Sequence, residues 1–203
     1  MNGFVSRGFT GKRHMPEELA HRLPPGQYKE DGFPVLTAGP TPDVPTAEWR
    51  LRIDGMVGER RDWNWEEFNA LPFEDVPCDI HCVTKWSKLG TSFRGVSVDT
   101  LLDAVEPLDA FVMAYSYGGY TTNLAIEDLT DGRAWVVTEH EGESLPREHG
   151  GPARLLVPHL YFWKSAKFVS GITLLDHDEP GFWEVRGYHD RGDPWLEQRY
   201  QGD

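Results

Sequence analysis

The sequence predicts a strand-dominated α+β domain. Short runs in which apolar and polar residues alternate outnumber runs with helical spacing. No apolar run approaches the ~18 residues that a spanning helix needs, so no membrane span is expected. The chain has 203 residues with 39% hydrophobic and 12% aromatic content, enough for one sizeable buried core.

In chain order, residues 1–31 are polar and punctuated by proline and glycine, and read as an N-terminal arm on the surface. Phe33 to Leu36 form an apolar strand or turn entering a proline-stiffened loop. From Glu48 onward Trp49, Leu51 and Ile53 alternate with Arg50, Arg52 and Asp54, the half-buried strand pattern. Asn64 can cap a short helix carrying Trp65, Phe68 and Leu71 on one face. Val76 to Cys82 is a strand with Cys78, Ile80 and Cys82 on one side and Asp79 and His81 on the other. Ser97 can cap a helix whose Val98, Leu101, Leu102 and Val105 repeat at i, i+3, i+4, i+7. Strands follow at Phe111–Tyr115 and Tyr120–Ile126 around a Ser-Tyr-Gly-Gly turn, then at Ala134–Thr138, Arg154–Val157 and Val169–Leu175. Residues 32–175 are thus expected to form the body of the domain, and 176–203, rich in charge and aromatics, an irregular C-terminal extension packed on it.

Lysine and arginine number 20 against 33 aspartates and glutamates, a net charge of −13. That balance argues against nucleic acid or an anionic membrane as the main partner. The amino terminus has no apolar core segment and no paired arginines, so a cytoplasmic location is expected.

Cys82 is one of only two cysteines, and it lies in a stretch, Ile80 through Val98, that contains no acidic residue but holds Lys85, Lys88 and Arg94. Positive charge lowers a thiol pKa, so the neighbourhood suits a reactive or metal-bound sulfur. A disulfide with Cys78 is not expected: four extended steps of ~3.3 Å separate the two by ~13 Å, beyond the ~7 Å limit between bridged Cα atoms. A zinc site lacks a second Cys or His pair at the right spacing. Burial as a structural thiol stays open for Cys82 and is the reading for Cys78. A second acid-free stretch, His149 through Leu175, carries Arg154, Lys164 and Lys167, with Gly150-Gly151-Pro152 allowing close backbone approach. Arginine and lysine in such a place can hold a seated anion, although they can equally pair with carboxylates elsewhere.

These same residues carry a family resemblance. His81-Cys-Val-Thr-Lys-Trp-Ser, Gly119-Tyr-Thr-Thr-Asn-Leu, and Glu148-His-Gly-Gly-Pro-Ala-Arg-Leu-Leu-Val-Pro followed by Lys164-Ser-Ala-Lys resemble the molybdopterin-binding catalytic domain of the sulfite oxidase family. The similar branch is the small bacterial one that includes the catalytic subunit of the methionine sulfoxide reductase system. The resemblance implies that strand-rich fold and a molybdenum-molybdopterin cofactor with a single pterin. It implies Cys82 as the thiolate ligand of the metal. Arg154, Lys167 and Ser165 stand where relatives hold the pterin and its phosphate, and His149 stands where relatives often carry Asn. Ser116 or Tyr117 falls near a further cofactor contact, and Leu36 and Thr37 lie in a loop that reaches the pterin. His81, His159 and Lys164 complete the candidate cofactor-binding set. Cys82, Lys85 and Tyr120 are the catalytic candidates, and Tyr120 and Trp86 are candidates for the pocket wall or for core packing.

The chain departs from the pattern at Thr84, where methionine sulfoxide reductase members tend to be acidic, and it lacks the arginine motif of sulfite oxidases. No Cys-x-x-Cys-His haem motif occurs, so electrons are expected to pass to or from a separate partner. The expected activity is oxygen-atom transfer on a small oxyanion or sulfoxide-type substrate. Two other classes stay open: a thiol enzyme with Cys82 as nucleophile, which needs a histidine other than His81 as base because adjacent strand residues face apart, and a non-catalytic binding domain.

Overall fold

The computed structural model describes residues 17–108 and 111–203; residues 1–16 of the expected arm lie outside them. The strands are β1 (Tyr28–Lys29), β2 (Arg50–Gly55), β3 (Arg61–Asn64), β4 (Glu74–His81), β5 (Trp86–Ser97), β6 (Phe111–Ser116), β7 (Thr121–Ala125), β8 (Trp135–His140), β9 (Glu143–Ser144), β10 (Arg154–Leu156) and β11 (Val169–Leu175). The helices are α1 (Glu17–Ala20), α2 (Trp65–Asn69) and α3 (Val98–Asp103). The expected strand-dominated α+β class is observed. Among the described residues no helix is long and apolar enough to cross a membrane.

Two mixed sheets carry the fold. In the first, β5 is the hub: it pairs antiparallel with β4 and β8 and parallel with β1, while β10 and β9 extend from β8. The second runs β3-β2-β11-β6-β7, with β2 and β11 parallel and the other pairs antiparallel. One face of the first sheet, through Val96, Val136 and Leu155, packs against Leu51, Ile53, Val112 and Ile172 of the second to form the main core. The alternate residues, Val137 and Leu156, point the other way and join Val76, Ile80, Phe93, Trp86 and Cys82 in a smaller cluster. The period-2 alternation of β8 and β10 therefore buries both faces of the first sheet, and the sulfur lies on the side away from the second.

Local chemistry sets the helix ends. Asn64 accepts from Glu67 N at 2.9 Å while Glu67 returns a carboxylate to Asn64 N at 2.9 Å, a full capping box. Ser97 accepts from Asp99 N at 3.2 Å to start α3. The twelve-residue strand β5 is absent from the sequence-based expectation. Its interior positions include Ser87 and Thr91, both buried with hydrogen bonds to His81 and His140, so polar residues stand where the pattern calls for apolar ones. Gly95 is required there, because a Cβ would meet Val136 O at 2.2 Å across the strand pair. Phe33 to Leu36, expected as a strand or turn, is irregular chain.

The chain on either side of the body is tied into it. Arg22 pairs with Asp79 of β4, and β1 adds to β5 at Trp86 and Ser87. At the other end, Phe182 N donates to Thr121 O at 2.9 Å, and Glu184 accepts from Thr122, Trp163 and Lys164.

Candidate active site

Cys82 follows the last residue of β4, at the head of a tight turn into β5. Lys85 N donates to Cys82 O at 2.9 Å and Cys82 N to Trp86 O at 2.8 Å, with Lys85 in the left-handed region at φ 79°. The segment before β1 buttresses this turn: Gln27 Nε2 donates to Cys82 O at 3.1 Å and Tyr28 N to Lys85 O at 2.9 Å. The side chain is 7% exposed, and Thr84 Oγ1 donates to Sγ at 3.1 Å. Burial pushes the thiol pKa up, while the Thr84 hydroxyl and the amides of Thr84 and Val83 oppose that push. Cys78 is also an unpaired thiol, and burial raises it to about 12.

The expected cationic neighbourhood of the sulfur is corrected. Lys85 is exposed on the turn, Lys88 Nζ donates to Asp31 O at 3.1 Å, and Arg94 reaches Asp75 at 3.1 Å. The charge that does reach the cavity comes from the second acid-free stretch. Arg154 is fully buried and donates to three carbonyls, Leu155 O at 3.3 Å, His149 O at 2.9 Å and Ser165 O at 2.6 Å, with its guanidinium 4.0 Å over the Phe162 ring. Lys167 Nζ donates to Leu36 O at 2.8 Å and Glu148 O at 2.6 Å. Neither cation makes an ion pair with a described carboxylate. Burial accordingly lowers Arg154 to about 9, and burial with the neighbouring Arg154 charge lowers Lys167 to about 8. Gly150, at φ 109°, permits this approach: a Cβ there would meet Lys167 Cβ at 2.9 Å.

One cavity of about 370 Å³ is lined by Cys82, Thr84, Arg154 and Lys167 together. Residues of the 33–42 loop form one side, including Phe33, Leu36 and Thr37, and the aromatics Tyr120, Trp163, Phe182, Trp183 and Tyr188 form another. The loop is pinned by Lys167 at Leu36 and by Arg147, which donates to Pro42 O at 2.9 Å and Thr41 O at 3.1 Å. Two lining side chains retain a buried polar atom with no protein partner, Trp86 Nε1 and Ser116 Oγ.

Residues 38–183 match the family described as the oxidoreductase molybdopterin binding domain. The chain belongs to that family. An uncharacterized oxidoreductase, YuiH, of Bacillus subtilis is 39% identical over 201 residues, covering 96% of this chain and 100% of that protein. A putative protein-methionine-sulfoxide reductase subunit, YedZ1, of Azospira oryzae is 28% identical over 72% of this chain and 56% of its own length. The catalytic subunit MsrP of the protein-methionine-sulfoxide reductase of Pseudomonas syringae is 26% identical over 76% of this chain and 51% of its own. The chain thus spans the whole of the Bacillus relative but about half of the two sulfoxide reductase proteins. The solved structure of the sulfane dehydrogenase SoxCD of Paracoccus pantotrophus superposes with a TM-score of 0.61 at 17% identity, over 87% of this chain and 57% of that one, a likeness of fold. The protein is a molybdopterin-dependent oxidoreductase of the sulfite oxidase-like type, related to MsrP.

The molybdopterin oxidoreductase site fits its cofactor on its own geometry. The buried Arg154 and the half-buried Lys167 have no carboxylate partner among the described residues, the buried donors of Trp86 and Ser116 have no protein acceptor, and one sulfur faces the same space. Among the described residues no group of three or more His, Cys, Asp or Glu is placed to hold a metal ion.

Of the residues singled out from sequence, Cys82, Tyr120, Leu36, Thr37, Ser116, Arg154, Ser165 and Lys167 line the cavity. His149 sits behind it, stacked on cavity-lining Phe33 at 3.8 Å with its Nδ1 unpartnered, and burial holds its pKa at about 4. The others are not brought there. His81 faces the opposite side of β4, hydrogen-bonded to Ser87 Oγ at 2.8 Å and lowered by burial to about 4. Lys85 points to solvent because the turn places it beyond the sulfur. Lys164 is fully buried, its ammonium spent on Asn123 and on Glu184 at 2.7 Å. His159 pairs with Asp128 at 3.0 Å, and Tyr117 accepts from Arg50 N at 2.6 Å and donates to Arg50 O, against β2. Tyr120 is a wall residue: its hydroxyl donates to Trp163 O at 2.6 Å, and burial keeps it protonated well above its ordinary range.

Sequence reasoning missed Phe33, Thr84 as a donor to sulfur, and the Phe182, Trp183 and Tyr188 wall. The aromatic density of the extension was the available signal for the last group, but nothing local says which way those rings face.

Proposed function

We propose that the chain is the catalytic unit of an oxygen-atom-transfer enzyme acting on a small, uncharged sulfoxide-type substrate, with one pterin cofactor ligated through Cys82 and electrons exchanged with a separate protein. The observation that carries this is the shared cavity: the one sulfur, both carboxylate-free cations and an aromatic wall open onto the same space. When bound, the molybdenum group supplies the two-electron redox chemistry. The protein supplies the rest. Arg154 and Lys167 hold the anionic end of the cofactor, a role for which the planar guanidinium and the ammonium are suited by shape and charge. Cys82 would hold the metal group through its sulfur; burial disfavours deprotonation of this thiol, and the Thr84 hydroxyl with the amides of Thr84 and Val83 opposes that effect. Tyr120 fixes Trp163, and these two with Phe182, Trp183 and Tyr188 bind the organic part of the substrate and exclude water.

An uncharged substrate is favoured over an inorganic oxyanion because the cations lining the cavity are the two assigned to the cofactor, and the chain as a whole carries −13. Two relatives are named as sulfoxide reductase proteins, one as a subunit and the other as a catalytic subunit, which supports both the substrate class and the need for an electron partner. Against a cysteine nucleophile, the side-chain donor to Sγ is Thr84 rather than a histidine. Against a non-catalytic domain, the cavity is open and lined by unmatched polar groups.

Protein made in a host that produces the cofactor is expected to contain near-stoichiometric molybdenum and a sulfur-to-metal charge-transfer band, both lost in Cys82→Ala. Wild-type protein without molybdenum, or a band indifferent to that substitution, overturns the reading.

A further inference from the structure

The hydrogen bond from Thr84 is unlike the other contacts of the site, because it ends on the sulfur itself. Cys82, Val83, Thr84 and Lys85 form a turn closed by Lys85 N to Cys82 O at 2.9 Å, and this closure returns the Thr84 hydroxyl to the residue two positions behind it, 3.1 Å from Sγ. Gln27 and β1 brace the backbone of the turn from outside. Thr84 also lines the cavity that receives the cofactor.

We propose that the Thr84 hydroxyl tunes the metal centre, withdrawing electron density from the Cys82 thiolate through the Oγ1–Sγ hydrogen bond and so raising the reduction potential. This rests on the reading that Cys82 ligates molybdenum. A donor to a metal-bound thiolate stabilises negative charge on sulfur, and that charge is greater when the metal is reduced. The bond is therefore stronger in the reduced state, and the equilibrium shifts toward it. In the couple concerned, one electron from a chemical reductant enters the metal, and no bond to the protein is made or broken.

Three variants, each produced in a cofactor-making host, test this by molybdenum content, the energy of the charge-transfer band and a mediated redox titration. Thr84→Val keeps the side-chain shape and removes the donor; Thr84→Ser keeps the donor; Cys82→Ala removes the ligand. Thr84→Val is expected to retain molybdenum, to move the band to lower energy, and to lower the reduced-to-oxidised ratio at fixed ambient potential by roughly tenfold, about 59 mV for a one-electron couple. Thr84→Ser is expected to restore both. A fully loaded Thr84→Val with unmoved band and potential overturns the proposal while leaving ligation intact. Failure of Thr84→Val to load, with Thr84→Ser loading normally, also overturns it, because the hydroxyl then serves assembly rather than tuning. A wild-type band that survives in Cys82→Ala defeats the ligation reading itself.

Discussion

Lys164 and Lys167 are three residues apart, one fully buried and the other half-buried, and their surroundings are opposite. Lys164 ends the 3-10 turn Phe162–Lys164 and is fully buried against Asn123 and the Glu184 carboxylate at 2.7 Å. Lys167, like Arg154 beside it, finds only carbonyl oxygens and faces the cavity. Burial lowers the pKa of both lysines, but Glu184 opposes that for Lys164, whereas Arg154 adds to it for Lys167. A buried charge is tolerated when it is paired. The contrast separates a cation whose anion is part of the fold from one with no carboxylate partner among the described residues. The first fastens the C-terminal extension, and with it Phe182, Trp183 and Tyr188, onto the body; the second lines the cavity and, in the function proposed above, receives the cofactor.

Breaking the paired region should have the largest effect on stability. Glu184→Ala leaves Lys164 buried and uncompensated, and urea unfolding should show a loss of about 3–5 kcal/mol. Replacing both partners with apolar residues, Lys164→Met with Glu184→Leu, should recover most of that loss. A double variant as unstable as the single one would mean that the other bonds of Glu184, to Thr122 and Trp163, matter more than the ion pair.

The unpaired region should respond in the opposite sense. Lys167→Met is expected to change unfolding stability by less than about 1 kcal/mol, since its two carbonyl partners lie toward solvent and can turn to water. Cofactor retention after gel filtration should nevertheless fall by about 10- to 100-fold in apparent affinity, the scale of one charge-assisted hydrogen bond. Equal damage to stability and loading would erase the distinction between the two lysines.

The smallest effect, screened by solvent because Lys167 is only half-buried, is a pH dependence. In cofactor-free protein Lys167 titrates at about 8, below its ordinary value of 10.5. The unfolded chain therefore binds the proton more tightly across this window, and stability should rise as pH increases from about 8 to 10.5. An anion beside Lys167 raises its folded-state pKa, so the Lys167 part of the rise should vanish in loaded protein and in Lys167→Met. Denaturant titrations at pH 7.5 and 10 on all three samples check this.

Much of the fold was legible locally. The alternation of Trp49, Leu51 and Ile53, the Asn64 cap and the Val98 to Val105 repeat each act over a few residues, and each is observed close to its expected place. Strand β5 was not, because its buried Ser87 and Thr91 are satisfied by His81 and His140, partners that only strand pairing supplies. For the site, the two acid-free stretches identified where unusual charge chemistry lies but not which cations share the sulfur's cavity. Lys85 and Lys88 are near Cys82 in sequence and turn away, whereas Arg154 and Lys167, more than seventy residues on, line the same cavity.

Sequence alone determined the class of fold and the family motifs, and singled out Cys82 as the candidate sulfur, because patterning, capping and motif order are properties of neighbouring residues. Only the tertiary structure decided that Lys164 belongs to the scaffold and Lys167 to the site, that Thr84 reaches the sulfur, and that the C-terminal rings wall the cavity. Those outcomes depend on which carboxylate, carbonyl or ring a side chain meets across the fold, and no local pattern encodes that meeting.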